Sequence, residues 1–203
     1  MRRLRVLVLM HKDLVPPDQL NGQDLEGAAW KTEYDVVSTL RKLGHDVQPL
    51  GVKSDLEVIR AAVEDWKPHI AFNLLEEFDG RAVYDQNVVS YLELMRIPYT
   101  GCNPRGLMLA RDKALAKQVM SYHRIPYPEF MVVPLHRMVR RPKYLPFPLI
   151  VKSISEEASL GISQASIVDD DEKLRERVAF IHDNVGTGAL IERYIEGREL
   201  TQG

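Results

Sequence analysis

Three lysines occupy positions from which a positive charge could reach an anion. Lys152 directly follows the apolar run from Pro148 to Val151 and opens a loop rich in small hydroxyl residues. Such a loop can surround phosphates with backbone N–H groups and serine hydroxyls. Lys113 and Lys117 are four residues apart and share one face of a predicted helix. These positions fit a site for a polyanion, and they equally fit a solvated basic surface.

Two carboxylates follow in the segment LIERYIEGREL, which runs from Leu190 to Leu200. Apolar and charged residues alternate there, as they do in a strand with one exposed face. Alternation does not account for Glu192 and Glu199, which lie on either side of the turn at Gly197. Their spacing fits contacts with two parts of one ligand, such as an adenine and a ribose.

Several other catalytic and metal-binding patterns are missing. The chain has no Walker spacing, no G-x-G-x-x-G after the first strand and no G-x-S-x-G elbow. The six histidines are scattered, which argues against a zinc site. The acidic run from Val168 to Leu174 is better explained as a helix start, with Asp170 or Asp171 as its N-cap, than as a metal site.

The elements that must position these residues fall into two patterns. In the first half, apolar runs and helical spacing alternate, with strands predicted at 5–10, 45–50 and 69–75, a fourth strand or extended segment at 97–101, and helices at 28–43, 55–66 and 87–95. This order favours a parallel, doubly wound sheet with helices on both faces. The second half predicts a helix at 107–123, two strands around the serine loop, a helix at 171–183 and a strand at 188–195, an α+β pattern. We place the boundary near Asn103, giving domains 1–103 and 104–203.

Composition narrows the range of partners and compartments. Hydrophobic residues make up 45% of the 203 residues and the formal net charge is -2, so the chain has no global attraction to nucleic acid or to an anionic membrane. The basic stretch HRMVRRPKY is better explained as a solvated connector than as an RNA contact. The single cysteine, Cys102, fits a reducing cytoplasm, and the N-terminal apolar run is too short for a signal peptide.

The order of these motifs resembles the ATP-grasp superfamily, and most of all the family of D-alanine–D-alanine ligases. A small α/β domain that ends in LELMRIPYTGCNP precedes a D-K-x-x-x-K helix, a strand ending in V-K, a serine loop closed by glycine, and the strand LIERYIEGREL. The resemblance covers 88–200 by motif and the earlier residues only by the order of elements. It implies a parallel N-terminal domain followed by an α+β lid subdomain.

The resemblance also implies ligands for each motif. In that family, the two motif lysines contact ATP phosphates, which implies Lys113 and Lys152 here. The carboxylate of the I-E pair and the backbone that follows it hold the adenine, which implies Glu192, Arg193 and Ile195. The remaining implied residues are Glu199 at the ribose, and Ser159 and Gly161 in the loop that closes over the phosphates, where Ser159 is also the candidate catalytic residue.

Departures from the family pattern fall mainly on the amino-acid side of the site. Ser153, Glu157 and Ala158 replace a usual proline, glycine and serine of the lid loop. Neither the substrate-binding glutamate after the first strand nor the H-G-x-x-G-E-D-G stretch can be placed. The resemblance therefore supports ATP more strongly than D-alanine. The family's Mg²⁺ ligands would follow Gly203, so the catalytic C-terminal subdomain is expected to be absent and the fragment inactive alone.

The leading hypothesis is the N-terminal portion of an ATP-dependent carboxylate–amine ligase that uses an acyl-phosphate and releases ADP and phosphate. Its partners would be a small amino-acid or carboxylate substrate and, by the resemblance, a second copy in a homodimer. One alternative is a non-catalytic nucleotide-binding or sensing module on the same fold. Another is a ligand-binding α/β domain confined to the first half.

Overall fold

The computed structural model describes residues 2–18, 25–155, 164–198 and 200. The chain forms two compact units, Met1–Met108 and Leu109–Gly203. The division falls inside a helix, α4 (Pro104–Arg111), whereas the predicted boundary at Asn103 lies just before that helix. No helix in the described part of the chain is long and apolar enough to cross a membrane.

Unit 1 contains a three-stranded parallel sheet in which β1 (Arg5–His11) lies between β2 (Asp46–Val52) and β3 (Ile70–Asn73). The five central residues of β1 are fully buried. A central strand of a parallel sheet is covered on both faces, which is why this segment is a continuous apolar run. The strands predicted at 5–10, 45–50 and 69–75 correspond to these three.

Helices cover both faces of this sheet. On one face, Val37 of α1 (Lys31–Lys42) packs with Val6, Val8 and Met10. On the other, Leu7 and Leu9 pack with residues of α2 (Glu57–Trp66) and α3 (Asp85–Leu94), namely Ile59, Val88 and Leu92. The extended segment predicted at 97–101 adds only an isolated parallel bridge between Tyr99 and Ala71.

The predicted helix at 107–123 is wrong, because Asp112 divides it into α4 and α5 (Lys113–Tyr122). Asp112 has extended backbone angles (φ −96°, ψ 92°), and its Oδ1 accepts hydrogen bonds from the amides of Ala114 (3.0 Å) and Leu115 (2.9 Å). An aspartate in this conformation satisfies the first amides of a new helix instead of continuing the old one. Lys113 is therefore the first residue of α5 rather than a residue within a longer helix.

Unit 2 contains a four-stranded antiparallel sheet in the order β4-β7-β5-β6. Its strands are β4 (Phe130–Val133), β5 (Leu149–Ser153), β6 (Ile167–Val168) and β7 (Ala189–Arg193). Glu192 on β7 is aligned with Phe130 on one side and with Ile150 on the other. The central strand β7 is thus fixed by pairing along both of its edges.

One face of this sheet is closed by α6 (Asp171–Phe180), whose Leu174 and Val178 pack with Val151 and Ile191. Because side chains alternate along a strand, Lys152 and Glu192 lie on the opposite face. Asp170 caps α6 by accepting from the amides of Glu172 and Lys173 at 2.9 and 2.8 Å, which confirms the capping interpretation of the acidic run. The helix predicted to reach Asp183 ends at Phe180 and continues as a π-helical turn, Ile181–Val185.

Candidate functional site

A nearly buried carboxylate stands between two lysines in unit 2. Glu192 is 4% exposed, and its Oε2 lies 2.9 Å from the Nζ of Lys152 on β5. Its Oε1 lies 2.9 Å from the Nζ of Lys117 on α5. An ionised carboxylate is costly to bury without counter-charges, and each oxygen here has one. Two ammonium groups and one carboxylate leave a net positive charge at this point.

The two lysines differ in how enclosed they are. The side chain of Lys117 is 13% exposed, and its Nζ lies 5.9 and 5.8 Å from the ring centroids of Tyr127 and Phe130. Aromatic faces attract an ammonium group at such distances. The side chain of Lys152 is 27% exposed and is therefore the more accessible of the two.

Lys113 lies one helical turn before Lys117 at the start of α5. Its backbone amide is 3.4 Å from the carbonyl oxygen of Ile154, the residue after β5. This contact ties the first turn of α5 to the point where the chain leaves the strand that carries Lys152. The D-K motif is therefore close in space to the end of the strand that carries the V-K motif, although the two motifs are far apart in sequence.

A groove of about 400 Å³ lies beside the end of β7. Ile195 in this groove is 62% exposed, and the amide of Arg193 donates to the carbonyl of Glu129 at 2.9 Å. The Arg193 side chain also lies 3.7 Å from the Glu129 carboxylate. The lining residues are Pro126, Tyr127, Pro128, Glu129, Arg193 and Ile195.

The structure therefore brings some of the predicted site residues together. Lys152 and Glu192 are in contact, whereas Arg193 and Ile195 line the neighbouring groove. Ser159, Gly161 and Glu199 lie outside the described residues. Lys117 was predicted only as the neighbour of Lys113 on one helix face, and the same four-residue spacing was the available signal for its place in the site.

Metal ligands were not predicted within this chain. Within residues 2–18, 25–155, 164–198 and 200, no group of three or more His, Cys, Asp or Glu side chains is arranged to hold a metal ion. The carboxylate that the site does contain, Glu192, is engaged by two lysines.

Comparison with curated proteins and solved structures agrees with this architecture. No protein-family model matches the chain. D-alanine–D-alanine ligase of Acidiphilium cryptum is 33% identical over 166 residues, which cover 82% of this chain and 52% of that protein. The ligase of Syntrophotalea carbinolica is 34% identical over 178 residues, covering 85% of this chain and 53% of the relative. The chain spans about half the length of these curated relatives.

Solved structures show the same fold. The D-alanine–D-alanine ligase of Bacillus anthracis matches with a TM-score of 0.73 at 24% identity, covering 96% of this chain and 58% of that one. The same enzyme complexed with ATP gives a TM-score of 0.69 at 21% identity over 96% of this chain and 60% of that one. In fold, this chain is similar to these solved ligase structures. In sequence, it is homologous to proteins named D-alanine–D-alanine ligase.

Proposed function

We propose that this chain forms the nucleotide-binding part of an ATP-dependent carboxylate–amine ligase. In such a reaction, ATP phosphorylates a carboxylate, and an amine then displaces phosphate from the acyl-phosphate. The observation that carries the proposal is the nearly buried Glu192 carboxylate held by Lys117 and Lys152 on the face of the sheet opposite α6. The homology to ligases and the ATP complex of a protein with this fold support it.

The chemistry of these side chains matches the chemistry of ATP. An adenine ring presents an amino group that donates and a ring nitrogen, N7, that accepts hydrogen bonds. Glu192 can accept from the amino group, while the backbone at Arg193 and Ile195 borders the adjoining groove. The ammonium groups of Lys113 and Lys152 suit the phosphate chain, because charge-assisted hydrogen bonds to phosphate are strong.

The remaining parts of the proposal concern groups beyond the described residues. Ser159 and Gly161 would close over the phosphates and Glu199 would bind the ribose. Bound Mg²⁺ would neutralise phosphate charge during transfer, as it does in other phosphoryl-transfer enzymes. We propose a small amino acid or other carboxylate as the substrate and a homodimer as the assembly. We also propose the cytoplasm as the compartment, because the described cysteine, Cys102, is a free thiol.

Isothermal titration of the 203-residue chain with MgATP tests the nucleotide site. We expect the chain to bind MgATP, because Glu192 can accept a hydrogen bond from the adenine and the lysines can pair with the phosphates. Lys152→Ala and Lys113→Ala should each weaken binding by about tenfold, since a hydrogen bond to a charged group contributes roughly 1.5 kcal/mol or more. NMR titration extends the measurement to affinities that calorimetry does not resolve.

Lys173→Ala is the matched control for both substitutions. Lys173 is an exposed lysine of the same unit, lies on α6 at the other face of the sheet, and pairs with Asp169 at 2.6 Å. This variant should bind MgATP as the wild type does. Affinities unchanged by both site substitutions would contradict the proposal, as would an equal loss in the control.

A further inference from the structure

The two lysines that pair with Glu192 lie in different environments. Lys117 is more buried than Lys152 and has the rings of Tyr127 and Phe130 near its ammonium group. Lys117 also projects from a helix, α5, whose first turn is capped by Asp112. Lys152 is the more exposed lysine and stands on β5 beside the loop that follows it. The contact between Glu192 and Lys117 is thus more enclosed than the contact between Glu192 and Lys152.

We infer that Lys117 is a positioning residue that fixes the Glu192 carboxylate and so makes the site selective for a nucleotide with an amino group on its base. This inference rests on the proposed function, because it assigns a role within the same nucleotide site. Lys117 itself does not contact the nucleotide in this arrangement. It acts through Oε1 of Glu192.

Glu192 needs a second lysine because nucleotide binding would draw Lys152 away from it. A lysine that turns toward phosphates or a ring nitrogen gives up its hydrogen bond to Oε2 of Glu192. A carboxylate that is 4% exposed would then be left without a counter-charge, which is strongly unfavourable. Lys117 removes this penalty because its bond to Oε1 does not depend on Lys152. Glu192 can therefore stay ionised while Lys152 engages the ligand.

An ionised and fixed Glu192 discriminates between bases. A carboxylate only accepts hydrogen bonds, so it favours the amino group of adenine and opposes the 6-oxo group of hypoxanthine. If the carboxylate lost its bond to Lys117 and rotated toward Lys152 alone, it would no longer meet the amino group. Selectivity therefore depends on Lys117.

The test compares MgATP with MgITP, its 6-oxo analogue, by NMR titration of the 203-residue chain. We expect the wild type to prefer MgATP, so that the Kd for MgITP exceeds the Kd for MgATP. Lys117→Met, which keeps the length of the side chain without its charge, should lower the ratio of the MgITP Kd to the MgATP Kd by about tenfold. Lys117→Arg should retain more of the preference because it keeps the charge. Gln118→Met, at the next and exposed position of α5, should leave the ratio unchanged.

The possible outcomes distinguish a failure of the positioning role from a failure of the proposed function. A folded Lys117→Met chain with the wild-type ratio, or with equal losses for both nucleotides, overturns the positioning role and leaves the proposed function intact. A wild type that binds MgATP and MgITP equally also overturns it. A wild type that binds neither nucleotide overturns the proposed function and the inference together. If Lys117→Met does not fold, Lys117→Gln, which keeps a neutral donor, is judged by the same ratio.

Discussion

Lys152 and Glu192 are diagonal neighbours across the pair of β5 and β7. In the antiparallel register, Lys152 is aligned with Leu190, and Glu192 is aligned with Ile150. Long side chains can reach each other along this diagonal, and here the Nζ and Oε2 atoms are 2.9 Å apart. The register of two strands thus brings the lysine of the V-K motif to the carboxylate of the I-E motif.

The first prediction concerns the coupling energy of this pair. A double-mutant cycle of Lys152→Met and Glu192→Gln, measured by urea denaturation, should give an interaction of about 1–2 kcal/mol in the free energy of unfolding. The value is limited because Lys117 continues to pair with Glu192 when Lys152 is lost. Lys173→Met with Asp169→Asn is an exposed i,i+4 pair for comparison, and its coupling energy should be much smaller. Equal coupling energies in the two cycles would contradict the expectation that burial strengthens the Lys152–Glu192 pair.

The second prediction concerns the helix break at Asp112. Asp112→Ala removes the side-chain acceptor for the amides of Ala114 and Leu115, so it should lower the free energy of unfolding by about 1 kcal/mol. Asp112→Asn keeps an acceptor oxygen and should cost less. Asp170→Ala, which removes the equivalent cap of α6, should have a similar effect to Asp112→Ala in the same urea titration. Equal destabilisation by alanine and asparagine at position 112 would refute the capping role.

The third prediction concerns alkaline pH and Tyr99. Its hydroxyl donates to Oε1 of Glu93 at 2.6 Å, and this hydrogen bond, together with partial burial and the negative charge of Glu93, raises the pKa of Tyr99 to about 12. The folded chain therefore holds the phenolic proton more tightly than the unfolded chain, whose tyrosines have a pKa near 10. The stabilising contribution is complete below about pH 10 and is lost as the pH rises from 10 toward 12.

Tyrosinate absorbance measured against a Tyr99→Phe variant reports this titration directly. Glu93→Gln removes the charge and should lower the pKa of Tyr99 toward 10. Tyr144, which is exposed and remote in sequence, provides the comparison through Tyr144→Phe. Titration of Tyr99 near pH 10 in the wild type would show that the hydrogen bond to Glu93 does not form in solution.

The fourth prediction concerns a close approach in unit 1. A Cβ atom at Gly51 on β2 would lie 2.7 Å from Cγ2 of Val15 and 3.0 Å from Cα of Lys12. Gly51→Ala should therefore destabilise the chain by about 1–3 kcal/mol, the range expected for overpacking. Gly197→Ala is the matched control, since a Cβ there has no heavy atom of the described residues within 4 Å. Similar thermal unfolding of the two variants would contradict this steric account.

Much of the secondary structure could be predicted because it depends on local pattern. The continuous apolar run of β1 correctly indicated a strand that is covered on both faces. The alternation of apolar and charged residues predicted one exposed face for β7, and this was wrong, because Ala189 to Glu192 are all buried. The division of the predicted helix at Asp112 could not be read from periodicity, because apolar spacing continues across it. An aspartate before a helix-forming segment was the only local signal for that cap.

The arrangement of the site was predicted less completely, for a physical reason. Motif order predicted Lys152 and Glu192 as ligand residues and placed them on strands, where the structure has them. It did not show that they bind each other, because the diagonal contact depends on strand register. It also did not place Lys117 at Glu192, because that contact depends on how α5 packs near β7 and the rings of Tyr127 and Phe130.

The presence of one lysine at each oxygen of Glu192 has an evolutionary consequence. Loss of either lysine leaves the carboxylate with a counter-ion, so folding tolerates each single substitution better than the two together. Lys117 and Lys152 should therefore show strong negative epistasis for folding. Scans of single substitutions would underestimate how much the fold depends on positive charge here, and homologues that have drifted at one position should be constrained at the other.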